Sequence, residues 1–152
     1  MCTRSITSSP PYPQQQPFTP PAEQETGANT IPATESSGHP ELDAINAYRK
    51  AHGKPPLIWS PELAAQAEAH NQGMNVFGFE HGDLPNPGLT GRAAQNISQG
   101  PTDPYEIVDG YISEKYNIDR DHPTGHRDNI LGDFTYFGSA TDSNGFNTED
   151  FI

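Results

Sequence analysis

Histidine and acidic residues are concentrated between positions 119 and 128, where their spacing restricts the chemistry they can support. His122 and His126 are four residues apart, the separation of two zinc ligands on one face of a helix. The stretch lacks the glutamate of a zinc-protease helix, and Pro123 and Gly125 would interrupt that helix. The sequence therefore argues against a protease motif and leaves His122 either at the border of a cleft or in a surface loop.

The acidic residues of the same stretch do not form a calcium loop. An EF-hand needs oxygen ligands at alternate positions followed by glycine, whereas Pro123 stands at the fifth place counted from Asp119. The chain also lacks a G-x-S-x-G elbow, a phosphate-binding loop and a CxxC pair. Its one cysteine, Cys2, can form no internal disulfide and is a poor candidate for a nucleophile.

The net charge excludes polyanions as partners. The chain has 20 Asp plus Glu against 8 Lys plus Arg, a formal net charge of −12. Nucleic-acid binding requires a basic surface, and an acidic surface is repelled by nucleic acid and by anionic membranes. No apolar stretch approaches the roughly 18 residues of a membrane span, so we expect no transmembrane segment.

Composition divides the chain near residue 38. Residues 1–38 contain seven of the 16 prolines and few large apolar residues, which predicts an extended tail or tether. Residues 39–152 carry 7 Lys plus Arg and 17 Asp plus Glu, a net charge of −10, and form the predicted folded domain. Cys2 in the tail is either the lipid-anchored cysteine of a surface protein or an exposed thiol.

Apolar spacing and capping residues predict four helices in the domain. The first has Leu42, Ile45 and Tyr48 on one face and ends at Gly53, a left-handed cap. The second begins at Ser60-Pro61, which suit the N-cap and first helical positions. The third begins at Thr102 or Asp103, and the fourth is expected over residues 124–131.

Strands are predicted in the remaining segments. Residues 134–140 and 146–151 have strand character, and the Asn144-Gly145 pair between them favours a tight hairpin turn. The predicted order of elements is helix, helix, strand, helix, helix, strand, strand. The first of these strands lies between the second and third helices, and the other two form the hairpin. This order predicts an α+β sandwich.

Six stretches in this order resemble a CAP-superfamily (SCP) domain. They are AINAYRKAHGKPPLIWSPELAAQAEAHNQGM, FEHGD, AAQNIS, EIVDGYISEKYN, TGHRDNIL and FTYFGSATDSNGF. The superfamily includes cysteine-rich secretory proteins, insect venom antigen 5 and plant pathogenesis-related proteins, and its disulfide-free bacterial members are most similar to this chain. The resemblance implies a three-layer α-β-α sandwich over residues 39–152 and a secreted or cell-surface location.

The resemblance also implies a cleft with two histidines and two acidic side chains. Its histidines fall on His81 of FEHGD and His126 of TGHRDNIL, and one glutamate falls on Glu114 of ISEKYN. The other falls on Gln95 of AAQNIS, where this chain departs from the family. We call these four residues the tetrad; the resemblance implies that His81 and His126 bind zinc or another divalent ion.

The residue types of the tetrad give these positions an independent meaning. Two neutral imidazoles and a carboxylate with a free coordination place make a site for a divalent metal. Gln95 can imitate the hydrogen bond of a carboxylate but not its charge, which lowers the expected metal affinity. Acid/base chemistry would then depend on Glu114 alone. The alternative is that both histidines are only hydrogen-bonded residues of the cleft.

Three functions follow from the resemblance. The first is a secreted or surface-tethered binding module, a monomer whose cleft takes a divalent ion and a small lipid or peptide ligand. The second is a protein–protein interaction domain in which the tetrad is a relic, and the third is a metal-assisted hydrolase. The loss of a carboxylate at Gln95 favours binding over catalysis. We expect His81 and His126 to approach one another, with Glu114 beside them and Gln95 on the rim.

Overall fold

A computed structural model of the chain describes residues 6–7, 36–86 and 91–152. Its elements, in chain order, are β1 (Ile6–Thr7), α1 (Pro40–Ala51), β2 (Ile58–Trp59), α2 (Pro61–Phe77), β3 (Ala94–Gln99), α3 (Pro104–Ser113), α4 (Gly125–Ile130), β4 (Tyr136–Thr141) and β5 (Phe146–Phe151). No helix in these residues is both long enough and apolar enough to cross a membrane.

The five strands form one mixed sheet in the order β1-β3-β5-β4-β2. β5 lies at its centre and pairs antiparallel with β3 and with β4, as the predicted hairpin requires. β2 pairs parallel with β4 at one edge, and β1 pairs antiparallel with β3 at the other. In the β3–β5 ladder, Gln95 lies opposite Asp150 and Asn96 lies opposite Glu149.

Helices cover both faces of the sheet. Phe146 and Ile97 pack with Met74 of α2 on one face. Phe151 and Phe137 belong to a larger core on the other face, which also contains apolar side chains of α1, α3 and α4. Because successive side chains of a strand point to opposite faces, β5 contributes to both cores. The predicted α+β fold with three α-β-α layers is confirmed.

The predicted helix boundaries agree closely with the structure. α1 ends at Ala51, and Gly53 beyond it has the left-handed φ of 70°. The hydroxyl of Ser60 accepts the Leu63 amide as the N-cap of α2. The third helix begins at Pro104 after Asp103. The fourth helix is shorter than predicted, Gly125–Ile130. The two-residue strand β2 precedes Ser60.

A buried arginine fixes the position of α4. Arg49 of α1 is 1% exposed. Its guanidinium donates to the carbonyls of Ile130 and Gly132 over 2.8 Å each, and to that of Pro55 over 2.9 Å. The carbonyls of Ile130 and Gly132 lie at and beyond the last turn of α4, where helical carbonyls have no partner within the helix. Arg49 therefore ties the helix that carries His126 to α1.

The segment predicted as a tail contributes one strand to the sheet. Ile6 pairs with Gln95 and Thr7 pairs with Ala94, so these two residues of the predicted tail belong to the sheet. Residues 1–5 and 8–35 lie outside the described part of the chain. For them, and for the role of Cys2, the extended tail or tether stays a prediction.

Candidate functional site

His81 is placed by the segment that follows α2. The helix ends at Phe77, and its C-cap Gly78 has a φ of 105° that turns the chain away from the helix axis. The imidazole of His70, about two turns before the end of α2, donates from Nε2 to the carbonyl of Glu80 over 2.9 Å. This bond holds the returning segment against α2 and brings His81 to β3, where its Nδ1 lies 2.9 Å from Oε1 of Gln95.

Gln95 connects His81 to an acidic residue of the neighbouring strand. Its Oε1 accepts the backbone N–H of Gly82 over 3.3 Å, and its Nε2 donates to Oδ1 of Asp150 over 3.0 Å. Because a backbone amide can only donate, the Gly82 contact fixes which end of the Gln95 amide faces His81. His81 must then carry a proton on Nδ1, and in its neutral form Nε2 is the acceptor. Gln95 is 1% exposed and is not on a rim.

Asp150 is a residue that the sequence analysis did not predict for the site. It lies on the central strand and is 2% exposed. Burial raises the pKa of Asp150 to about 7, and the hydrogen bond from Gln95 acts in the opposite direction. A low-dielectric environment disfavours the charged carboxylate, which explains the direction of the shift. His81, Gln95 and Asp150 thus form one hydrogen-bonded chain from the post-α2 segment to β5.

Glu114 and His126 form the second pair of the tetrad. Nδ1 of His126 lies 2.8 Å from Oε2 of Glu114, whose Oε1 accepts the backbone N–H of Arg127 over 2.9 Å. Nδ2 of Asn117 also donates to Oε2, over 2.8 Å. Both carboxylate oxygens are therefore used to accept hydrogen bonds. The arrangement orients the His126 ring and gives its Nδ1 the proton.

Glu114 has an unusual backbone conformation. Its φ of 54° is the one positive φ of a non-glycine residue in the described part of the chain. The residue is the C-cap of α3 in the left-handed conformation, which is unfavourable for most residues with a Cβ. Such conformations persist where surrounding contacts hold them. The three hydrogen bonds to the Glu114 carboxylate provide those contacts.

The imidazole of His126 is fully buried. Its exposed fraction is 0%, and its ring packs on Tyr111 of α3 with 4.7 Å between ring centroids. Nδ2 of Asn96 approaches the His126 carbonyl at 3.4 Å, and Asn129 of α4 donates to Oδ1 of Asn96 over 2.9 Å. Nε2 of His126 has no hydrogen-bond partner among the residues that the structure describes. A buried polar atom left in this state is unusual and marks a place where a small ligand or water would be stabilised.

The loop from residue 117 to residue 122 supports the Glu114 side of the site. Asn117 donates to Glu114 and to the carbonyl of His122. Nδ1 of His122 lies 3.0 Å from Oδ2 of Asp119, which also accepts two backbone amides of the loop through Oδ1. The His122 side chain is 62% exposed. It lies in a surface loop, which agrees with one of the two interpretations, and Asn117 links its carbonyl to Glu114.

A second group of buried acids consists of Glu149 of β5 and Glu41 of α1. Asn96 donates to Glu149 over 3.0 Å, while Ser139 and Asn147 donate to Glu41 of α1 over 2.7 and 2.8 Å. Burial raises the pKa of Glu41. Burial also raises the pKa of Glu149 well above its usual value, and the neighbouring charge of Glu41 acts in the same direction. The signal for this group is the polar run from Asn147 to Asp150 inside a strand that is buried on both faces.

The described residues do not fit a metal centre with three or more protein ligands. Within residues 36–86 and 91–152, no three His, Cys, Asp or Glu side chains are grouped so that they could hold one ion. Both histidines use Nδ1 for hydrogen bonds, to Gln95 and to Glu114, so only their Nε2 atoms could serve as ligands. The structure brings the tetrad together as two pairs. The approach of His81 to His126 in a shared cleft stays a prediction.

A depression of about 320 Å³ lies elsewhere, beside the start of α2. Its lining combines buried Leu63 with half-exposed Tyr136 and a rim that includes Ser60 and Glu62. None of the tetrad residues lines it. It is therefore separate from the candidate site.

The sequence matches one family model over most of the fold just described. The model of the cysteine-rich secretory protein family, CAP, matches residues 42–151. The chain belongs to the CAP family. This span holds all four tetrad residues and extends from α1 to the last residue of β5. The single cysteine lies outside it, so the CAP domain of this chain contains no disulfide.

A solved structure supports the same assignment. The CAP domain is similar to an extracellular protein containing an SCP domain from Bacillus anthracis str. Ames, with 26% sequence identity and a TM-score of 0.58. The match covers 74% of this chain and 38% of that protein, so the chain spans well under half of its length. No curated protein matches the chain.

Proposed function

We propose that this CAP domain is a secreted or surface-tethered binding module whose small lipid or peptide ligand contacts the two histidine pairs. The observation that carries the proposal is the buried Nε2 of His126, which lacks a partner among the described residues. Since Glu114 holds the proton of the ring on Nδ1, Nε2 of the neutral imidazole can only accept. Because this atom is buried, a ligand must displace neighbouring side chains to reach it. The ligand must then offer a hydrogen-bond donor, such as a peptide N–H or a hydroxyl, or be a cation. The extracellular neighbour from Bacillus anthracis supports the location.

The state of Glu114 favours binding over hydrolysis. A general base must be free to take a proton from an attacking water. The Glu114 carboxylate already accepts from His126, Arg127 and Asn117, which suits it to hold an imidazole in place. The acidic position that the family has at residue 95 is an amide here. The hydrolase and the interaction domain with a relic tetrad remain the alternatives, and the test below separates them.

A divalent ion bound at this site would have two protein ligands, Nε2 of His81 and Nε2 of His126. Glu114 and Gln95 would act as outer partners that orient the rings. With two imidazoles and no carboxylate ligand, zinc would bind weakly compared with a three- or four-ligand site. Zinc therefore serves as a probe of the two nitrogens in the tests below.

Calorimetric titration with zinc and with short peptides and fatty acids tests the proposal. We expect wild-type protein to bind and His126→Ala to lose binding, while His122→Ala, a surface histidine outside the pairs, stays as wild type. Equal affinity in all three proteins would contradict the proposal and favour the interaction domain. Hydrolysis of a peptide or ester by the wild type that Glu114→Gln abolishes would instead favour the hydrolase.

A further inference from the structure

The place where β1 joins the sheet coincides with the candidate site. β1 pairs with Ala94 and Gln95 of β3, and Gln95 is the residue whose side chain binds His81 and Asp150. β1 also lies next to α4, the helix that carries His126. β1 thus pairs with the backbone of Gln95, whose side chain belongs to the candidate site, and lies beside the helix that carries His126.

β1 is joined to the domain by a long stretch of chain, so it could leave the edge of β3 and be replaced there by another peptide. The 32 residues from 8 to 39 separate it from α1, a length that could span about 105 Å when extended. A two-residue ladder is a small contact, because even a whole isolated hairpin is marginally stable in water. Its tether nonetheless gives β1 a high local concentration at β3, which favours docking over free peptides in dilute solution.

The charge of the N-terminal segment complements that of the domain. The first 22 residues contain Arg4 and no Asp or Glu, whereas residues 39–152 carry a net charge of −10. Recognition through a strand edge uses main-chain hydrogen bonds and therefore tolerates different side chains. An extended segment without acidic side chains would meet both conditions.

We propose that the edge of β3 at Ala94–Gln95 is a strand-addition site for extended peptides without acidic side chains, and that β1 occupies it in cis as a competitor. A peptide bound at this edge would displace β1 and form the same backbone hydrogen bonds with β3. This inference concerns the backbone edge of β3 and does not depend on ligand binding by the histidines, so either proposal can fail alone.

Fluorescence anisotropy with a labelled peptide of residues 3–9 (TRSITSS) tests the inference on the full chain. The double substitution Ile6→Pro/Thr7→Pro removes the amide donors of β1 and prevents its pairing. We expect this variant to bind the peptide more tightly than wild type, because β1 no longer competes for the edge; a tenfold gain would correspond to about 1.4 kcal/mol. The control Gln14→Pro/Gln15→Pro should bind as wild type, and a peptide with proline at both strand positions should not bind.

Amide spectra locate the contact. Binding of the peptide to the Ile6→Pro/Thr7→Pro variant should restore the wild-type amide shifts of Ala94 and Gln95. Equal peptide affinity for wild type and this variant, or no binding to the variant, would overturn the inference. A wild-type dimer that the two prolines convert to a monomer would also overturn it, since β1 would then bind a second copy.

Discussion

Gln95 donates a hydrogen bond to Asp150 across the β3–β5 ladder, with 3.0 Å between Nε2 and Oδ1. The same amide accepts from Gly82 and His81 on its other side. A glutamate at position 95 could serve His81 in the same way but would present an acceptor to Asp150. The amide at position 95, where the family has a glutamate, therefore supplies the donor that the buried carboxyl of Asp150 requires.

Gln95→Glu should destabilise the protein at pH 8 by about 1 to 3 kcal/mol, because it sets a second buried acceptor against Asp150. Adding Asp150→Asn should recover most of this loss, since the new amide donates to the introduced carboxylate. Urea unfolding of the two single variants and the double variant measures the coupling. Additive effects of the two substitutions would show that the two side chains do not interact.

The raised pKa of Asp150 makes stability depend on pH in a defined direction. Burial raises this pKa from 3.8 to about 7. Below pH 3.8 the carboxyl is protonated in both states, and above it the unfolded chain loses the proton first. The contribution of Asp150 to the free energy of unfolding therefore falls as pH rises from about 4 to 7, by roughly 4 kcal/mol in total.

Asp150→Asn should remove that contribution. The variant should gain stability over wild type as pH increases, with the largest gain above pH 7. Asp109→Asn, at an exposed position of α3, changes the net charge equally and serves as the control. Thermal unfolding followed from pH 5 to 8 measures both, and parallel pH profiles for wild type and Asp150→Asn would contradict the assignment.

Glu114→Gln should destabilise the protein by about 1 to 3 kcal/mol, because either orientation of the amide sets a donor against His126, Asn117 or Arg127. The Hδ1 proton signal of His126 should shift or broaden as its acceptor is lost. Chemical denaturation and NMR provide the two readouts. Glu106→Gln, an exposed acid of α3, should change neither.

Gly138→Ala tests the close contact between α2 and β4. A Cβ on Gly138 would lie 2.3 Å from the Ala64 amide nitrogen, so the helix would have to move. We expect a loss of about 1 to 3 kcal/mol or more, as for other overpacked sites. Gly73→Ala in α2 has open space around the added methyl and should stabilise the protein by about 0.5 to 1 kcal/mol. Calorimetric melting of both variants makes the comparison.

Local signals predicted most of the fold. The capping residues Ser60 and Gly53 lie next to the segments that they delimit, so short-range patterns were sufficient for the helices. The short strand β1 was missed because its pairing depends on a distant partner, Gln95. The strand over residues 146–151 was predicted, but no alternating pattern marks it because both of its faces are buried.

The candidate site was less predictable from the sequence. The contact of Glu114 with His126 follows from the expected tetrad, since both residues were assigned to it by resemblance. The partner of Gln95 could not be inferred, because it depends on the register between β3 and β5, which are about 50 residues apart. The burial of Gln95 could not be predicted either, because an amide side chain in a short strand can lie in the core or at the rim of a cleft.

The central claim is that Nε2 of His81 and Nε2 of His126 contact the ligand. Imidazole nitrogen spectra of ¹⁵N-labelled protein, recorded during a zinc titration at pH 7.5, test it directly. We expect the Nε2 signals of His81 and His126 to shift together and saturably, with Nδ1 still protonated in both rings, while His122 responds at higher zinc concentrations. Unchanged Nε2 signals of His81 and His126 at zinc concentrations that already shift His122 would contradict the account.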